Sequence, residues 1–175
     1  MAARSALMLV LLCVVAPAAL ASREVPAGYR QVAQQAGVPA SLLYALALTE
    51  SGTRIQQQTH PWPWTLNVAG RGYRYATRKG ACQALRHFLL TTAERRIDVG
   101  LGQINLGWNG HYFTSPCSML APYPNLRIAA MLLRQQFDRW QNWHEAVGRY
   151  HRPAGGKPAQ RYRQQVLRYL QGLSS

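Results

Sequence analysis

The sequence predicts a mostly α domain with one small β-hairpin, and three observations predict it. Apolar residues recur at helical spacing in several segments between residues 29 and 170. Only residues 64–75 alternate with period two on both sides of a glycine-containing turn. No internal repeat and no linker-like shift of composition divides the chain, so one domain over residues 22–175 accounts for it.

The elements follow in order. Residues 29–36 read as a short polar helix stopped by Gly37, and Pro39 then opens an apolar helix that runs to Glu50 with Gly52 as its C-terminal cap. Residues 53–63 look irregular. Trp64-Thr65-Leu66-Asn67-Val68 and Tyr73-Arg74-Tyr75 are the arms of the hairpin, with Gly70-Arg71-Gly72 as its turn. Residues 82–96 return to helical spacing, with Leu85, Phe88 and Leu89 on one face. Residues 98–124 are rich in Gly, Asn and Pro and read as loops with short helical turns. A long amphipathic helix over 126–143 carries Ile128, Met131, Leu132 and Phe137 inward. A short helix over 143–150, a loop over 151–158 and a basic helix over 159–170 with Tyr162, Val166 and Tyr169 complete the chain.

Residues 1–21 are read apart from the domain. Arg4 precedes an apolar run from Ala6 to Val15, and Ala19-Leu20-Ala21 has the small-x-small pattern of a cleavage site. This is the pattern of a secretory signal peptide, with Ser22 as the first mature residue and the periplasm as the expected location. The run is too short to span a bilayer, and no later segment reaches the roughly 18 apolar residues that a span needs. Cys13 lies in the apolar run, which leaves Cys82 and Cys117. An exported chain with two cysteines suggests one disulfide, stabilising by roughly 3–4 kcal/mol in the chain-entropy model. The alternative is two unpaired buried thiols. Twenty Lys and Arg against six Asp and Glu give a formal net charge of +14, of which the signal segment holds only Arg4. Such an excess implies a polyanionic partner. Export argues against nucleic acid and leaves wall peptides, anionic lipids and wall polymers.

With six acidic residues in all, the position of Glu50 matters. It ends the stretch Ser41-Leu42-Leu43-Tyr44-Ala45-Leu46-Ala47-Leu48-Thr49 and shares a stripe with Leu42 and Leu46, four residues apart. A carboxyl group facing the core is desolvated, its pKa rises, and it can hold a proton near neutral pH as a general acid does. The bland reading is a solvated residue in the last helical turn, although a glutamate there meets an unfavourable helix dipole.

Two further segments line up with Ala47-Leu48-Thr49-Glu50-Ser51-Gly52. They are Asp98-Val99-Gly100-Leu101-Gly102-Gln103-Ile104-Asn105 and Ala146-Val147-Gly148-Arg149-Tyr150. In this order and spacing they resemble the lytic transglycosylases of the soluble-transglycosylase type, which share the goose-type lysozyme fold. The pattern of that family is Glu-Ser at a helix end, then Gly-Leu-Met-Gln-Ile-Asn, then Ala-x-x-x-Tyr-Asn. The resemblance runs from about Val25 to Tyr150. The size and the segment Pro61-Trp62-Pro63-Trp64-Thr65-Leu66-Asn67 look like the specialised members that accompany conjugation and secretion systems. Two departures stand out: Gly102 replaces the usual Met, and His151 replaces the usual Asn.

The resemblance implies an enzyme that cleaves the bond between N-acetylmuramic acid and N-acetylglucosamine in peptidoglycan and leaves a 1,6-anhydro end, with no cofactor. It implies that Glu50 is the single acid/base, that Ser51, Gln103 and Asn105 bind substrate, and that the hydroxyl of Tyr150 approaches Glu50. Trp62, Trp64, Tyr73 and Tyr75 are candidates for stacking on sugar rings; as bare residues they read as core or cross-strand pairs. Gln103 and Asn105 could otherwise cap loops. Glycoside cleavage generally uses two carboxylates, and Asp98 is the nearest candidate for a second. A hydrolytic muramidase is therefore the alternative enzyme, and an inactive wall-binding scaffold protein of a secretion apparatus is the alternative from another class. Glu94, Asp138 and Glu145 sit among polar or basic residues and read as surface partners. The five histidines have no HExxH or paired spacing, so no metal site is expected. Gly100-Leu101-Gly102 lacks the strand–helix setting of a dinucleotide loop. Arg161, Arg163 and Arg168 make the last helix basic, a face for anionic wall or for a partner unless it is simply solvated.

Overall fold

The computed structural model describes residues 23–173, so the expected signal segment lies outside the described residues. Two helices open the fold. The first, α1 (Ala27–Ala36), is closed by Gly37 at φ 64°, with the Val38 N–H bonding back to the Ala33 carbonyl. The second, α2 (Ala40–Ser51), is entered through Pro39. Every residue of α2 from Leu42 to Leu48 is buried. Leu42 and Leu46 pack with Leu133, Val147 and Val166, whereas Leu43 packs with Val32, Leu126 and Ala130. Tyr44 and Leu48 meet Val25 on a third side. The apolar stripe expected from residues 42, 46 and 50 is thus only part of the pattern: α2 is apolar all round because it is the central helix.

Gly52 is not the left-handed cap expected, since its φ is −52°. Space explains the residue instead. A Cβ there would stand 2.2 Å from the Leu48 carbonyl oxygen and 2.9 Å from the Thr59 methyl. Gly52 begins a hairpin, β1 (Gly52–Ile55) with β2 (Gln58–Pro61), in the segment expected to be irregular. These strands carry mostly polar, exposed or half-buried residues, so hydrophobic alternation gives them no signature.

The expected hairpin is present as β3 (Thr65–Val68) and β4 (Arg71–Arg74). Its turn falls one step earlier than expected, on Ala69 and Gly70, at φ 53° and 88°, as a two-residue hairpin turn requires. After α3 (Arg78–Phe88), which is shorter than expected and capped by the Thr77 hydroxyl, two short strands extend the sheet. These are β5 (Ile97–Val99) and β6 (Ile104–Asn105), giving the antiparallel order β4-β3-β5-β6. Strands of three and two residues leave no readable period, so this stretch reads as loop from sequence. Leu66, Val68, Ile97, Val99 and Ile104 bury one face of the sheet with Leu85 of α3.

A single turn, α4 (Leu106–Asn109), and two 3-10 segments lead to the long α5 (Pro122–Trp140), then α6 (Trp143–His151) and α7 (Gly156–Gln171). Of these, α6 packs on both α5 and α7, and all three contribute to the cluster around Leu42 and Leu46 of α2. The mostly α class holds, with more β structure than the one hairpin. No helix among the described residues is long and apolar enough to cross a membrane.

Cys82 of α3 and Cys117 of the 3-10 segment Pro116–Leu120 form a disulfide across Cα atoms 5.2 Å apart. The bridge ties the segment before α5 to the sheet-packing helix. Reduction, or the double change Cys82→Ser and Cys117→Ser, should lower the stability of the fold by roughly 2–4 kcal/mol. Thermal melting with and without reductant measures it, and an unchanged midpoint would show that the bridge constrains nothing.

Candidate active site

One cleft, of about 250 Å3, gathers residues that lie far apart in the chain. Glu50 reaches it from the end of α2, Asn67 and Asp98 from β3 and β5, Gln103 and Asn105 from the β5–β6 connection and β6, and Tyr150 with His151 from the end of α6. The sheet contribution follows from register. Asn67 pairs with Asp98, and Asp98 pairs with Asn105, so three polar side chains form a row across adjacent strands. Their apolar neighbours along each strand point to the core.

Glu50 is half-buried, covered by protein on the helix side and open to the cleft on the other. Burial raises its pKa from 4.5 to about 8. The hydroxyl of Tyr162, from α7, donates to Glu50 Oε1 at 2.6 Å and works the other way, and the charge of Asp98 adds to the rise. His151 lies flat on Tyr162, with ring centroids 4.5 Å apart and planes within 4°. Asp98 is also pushed up by burial, against the Asn105 amide, which donates to its Oδ1 at 2.8 Å, and against nearby His151. Burial lowers the pKa of His151.

The sequence-derived candidates divide by position. Gln103 lines the cleft while its side-chain amide donates to the Gly100 carbonyl at 2.9 Å. Asn105 lines it while capping α4 and donating to Asp98 and to the Arg95 carbonyl. Both therefore hold the wall as well as form it. Three expectations change. Ser51 is fully buried and cannot meet a ligand; its hydroxyl lies 2.9 Å from the Leu101 carbonyl and 3.1 Å from that of Ala47, tying α2 to the 100–102 turn. Tyr150 does come near Glu50, and burial together with the Glu50 charge raises the pKa of the tyrosine, but its hydroxyl donates to the Gly102 carbonyl at 2.7 Å, and the hydroxyl bonded to Glu50 is that of Tyr162. Trp62, Trp64, Tyr73 and Tyr75 do not line the cleft. Trp62 stands edge-on to Trp64 and donates to the Tyr75 carbonyl, Tyr73 meets Phe88, and Trp64 and Tyr75 pack on the core.

Sequence reasoning missed Tyr162, Asn67 and Asn125. Tyr162 sits on the buried stripe of α7 and reads as core, yet a buried tyrosine hydroxyl needs a partner, and that is the signal it offered. Asn125 is buried at the start of α5. Its oxygen accepts from the Gly102 N–H, and its amide donates to the Val99 and Met119 carbonyls. It thereby fixes the turn that carries Gln103. A Cβ on Gly102 would stand 2.5 Å from Ala129 Cβ and 2.9 Å from the Tyr150 hydroxyl. The departure from the family's Met at this position is thus a matter of space.

A mostly α fold with a proton-holding carboxyl at the mouth of a polar cleft is the architecture of a lysozyme-like glycan-cleaving enzyme. The family comparison agrees and is narrower: residues 29–169 match the family model of the Transglycosylase SLT domain. The chain belongs to that family, whose members are peptidoglycan lytic transglycosylases. No curated protein and no solved structure matches the chain.

In the folded chain Glu50 keeps its proton up to about pH 8, whereas the unfolded chain releases it near 4.5. Between these values the folded state binds more protons, so stability falls as pH rises. Glu50→Gln, which has no such proton, should match the parent near pH 4 and exceed it by on the order of 5 kcal/mol well above pH 8. Denaturant melts at several pH values test this, and a pH-independent difference would contradict the raised pKa. Gly102→Ala should cost about 1–3 kcal/mol through overpacking against Ala129. Adding Ala129→Gly should return part of that loss, and melts of the double variant would show no recovery if crowding is not the cause.

Proposed function

We propose that Glu50 is the sole catalytic acid/base of this lytic transglycosylase and that it acts on the bond between N-acetylmuramic acid and N-acetylglucosamine. The observation that carries this reading is a carboxyl held protonated to about pH 8 at the edge of the cleft, with a tyrosine hydroxyl on one oxygen. Such a group can protonate the glycosidic oxygen as that bond breaks. As the carboxylate, it then takes the proton of the muramic C6 hydroxyl while that oxygen bonds to C1. The product carries a 1,6-anhydro ring, and no water is consumed. Desolvation favours the first step, and the Tyr162 hydrogen bond stabilises the carboxylate between the two. Gln103, Asn105 and Tyr150 border the glycan; Ser51 acts from behind, by holding the turn.

Asp98 supports a second reading. It lies in the same cleft and is oriented by Asn105, where it could assist a water molecule in a hydrolytic muramidase. Its own raised pKa and its hydrogen bond to Asn105 fit a wall residue equally well. The leading sequence segment supports export to the periplasm, and the Pro61–Asn67 stretch together with the small size supports local wall opening for a conjugation or secretion apparatus.

Glu50→Gln should abolish release of soluble muropeptides from purified sacculi, and mass spectrometry of wild-type products should find anhydro ends. Reducing ends would favour the muramidase, and activity retained in the variant would remove Glu50 from its role. In the wild type, kcat/KM should fall as pH rises through about 8, where the acid is lost. Tyr162→Phe, which removes a hydrogen bond to the charged form, should move that fall to higher pH.

A further inference from the structure

Beyond the cleft, α7 carries a face that the reaction does not use. Arg161, Gln165 and Arg168 are spaced four and three residues apart, so they form one exposed stripe beside the buried Tyr162 and Val166. Two depressions follow the stripe. One is bordered by His151, Arg161 and Gln165, the next by Gln165, Arg168 and Thr49. The first shares His151 with the Glu50 cleft, and the second shares Gln165 with the first. The depressions thus succeed one another from the rim of the cleft along two turns of helix, about 10 Å, each sharing a lining residue with the next.

Among the described residues the charge along this face is uncompensated. Arg163, on the same helix, pairs with Glu145 at 3.3 Å. Among the described residues, Arg161 and Arg168 have no carboxylate and no hydrogen-bond acceptor against them. Two guanidinium groups presented this way suit carboxylates. In peptidoglycan the lactyl carboxyl of the muramic residue is consumed as the amide to the peptide stem. The free carboxylates of an intact strand therefore lie on the stem, beside the bond that Glu50 faces.

We propose that the Arg161–Arg168 face of α7 is a subsite for the acidic peptide stem of the glycan strand held in the cleft. The assignment rests on the transglycosylase reading and adds the part of the substrate that reading leaves outside the cleft. His151 stands at the junction, stacked on Tyr162, where the stem would leave the glycan.

Binding measured in the Glu50→Gln background, where cleavage does not interfere, tests the subsite. Fluorescence anisotropy would compare labelled glycan strands bearing stems, the same strands stripped of peptide by an amidase and with the lactyl carboxyls so freed then capped as methylamides, and a soluble polyglycerol phosphate. Stem-bearing strands should bind more tightly than stripped ones. Arg161→Gln with Arg168→Gln should weaken stem-bearing strands by roughly tenfold and remove that difference. Equal affinity for the two strands, or an equal loss on both, would overturn the subsite. So would a loss confined to the phosphate polymer, which would reassign the face to a wall polyanion. Cleavage retained by Glu50→Gln would count against the catalytic reading alone, because the contrast between strands is read as binding.

Discussion

The structure depends on the burial of α2 on all sides. Seven consecutive residues, from Leu42 to Leu48, are packed against α1, α5, α6 and α7 and against the segment around Val25. The cover opens on one side in the last turn, where Thr49 and Glu50 are half-buried before Ser51 is enclosed again. Glu50 lies at that point, with apolar surroundings on the helix side and the polar sheet edge on the other. Its high pKa is therefore a consequence of where the core ends. The same packing brings α7 across the end of α2 and sets Tyr162 against the carboxylate from 112 residues away.

The opposite wall is held by backbone contacts more than by side chains reaching into the cleft. The 100–102 turn contains Gly100 at φ 83° and Gly102, which has no room for a side chain. Four groups converge on it: Asn125 bonds the Gly102 N–H, Tyr150 the Gly102 carbonyl, Ser51 the Leu101 carbonyl and Gln103 the Gly100 carbonyl. Buried polar networks of this kind are rigid when every member is satisfied. The turn is thus positioned from α2, α5 and α6 together, and a change at any of these contacts would shift the wall facing Glu50.

How much of this was legible in the sequence depended on the range of the interaction. Helices announce themselves through local spacing, so α1, α2, α5, α6 and α7 are read to within a few residues. The cysteine pair is legible from the count of cysteines and the expectation of export. The strands β1, β2, β5 and β6 are not, because they are short and either polar or flanked by glycine, and pairing across the sheet, not periodicity, makes them strands. Within the site, Glu50, Asp98, Gln103 and Asn105 stand out as polar residues in sequence contexts that do not otherwise need them. Ser51 and Tyr150 belong to the same motifs, but the motif does not reveal that their hydroxyls serve the turn. Tyr162 and Asn125 act across long separations, and local pattern carries no trace of such a partner.

The polar row Asn67, Asp98 and Asn105 has a consequence for folding as well. Side chains alternate along a strand, so a one-residue slip of β3 against β5 would turn Asn67 toward the core and expose Leu66 and Val68. The misregistered sheet would bury an amide without partners and lose its contact with Leu85 and Val99. The residues that make the cleft polar thereby also penalise wrong pairing of the strands beneath it. Assembly of this sheet edge is self-correcting: the chain cannot reach its packed state without also having lined the cleft.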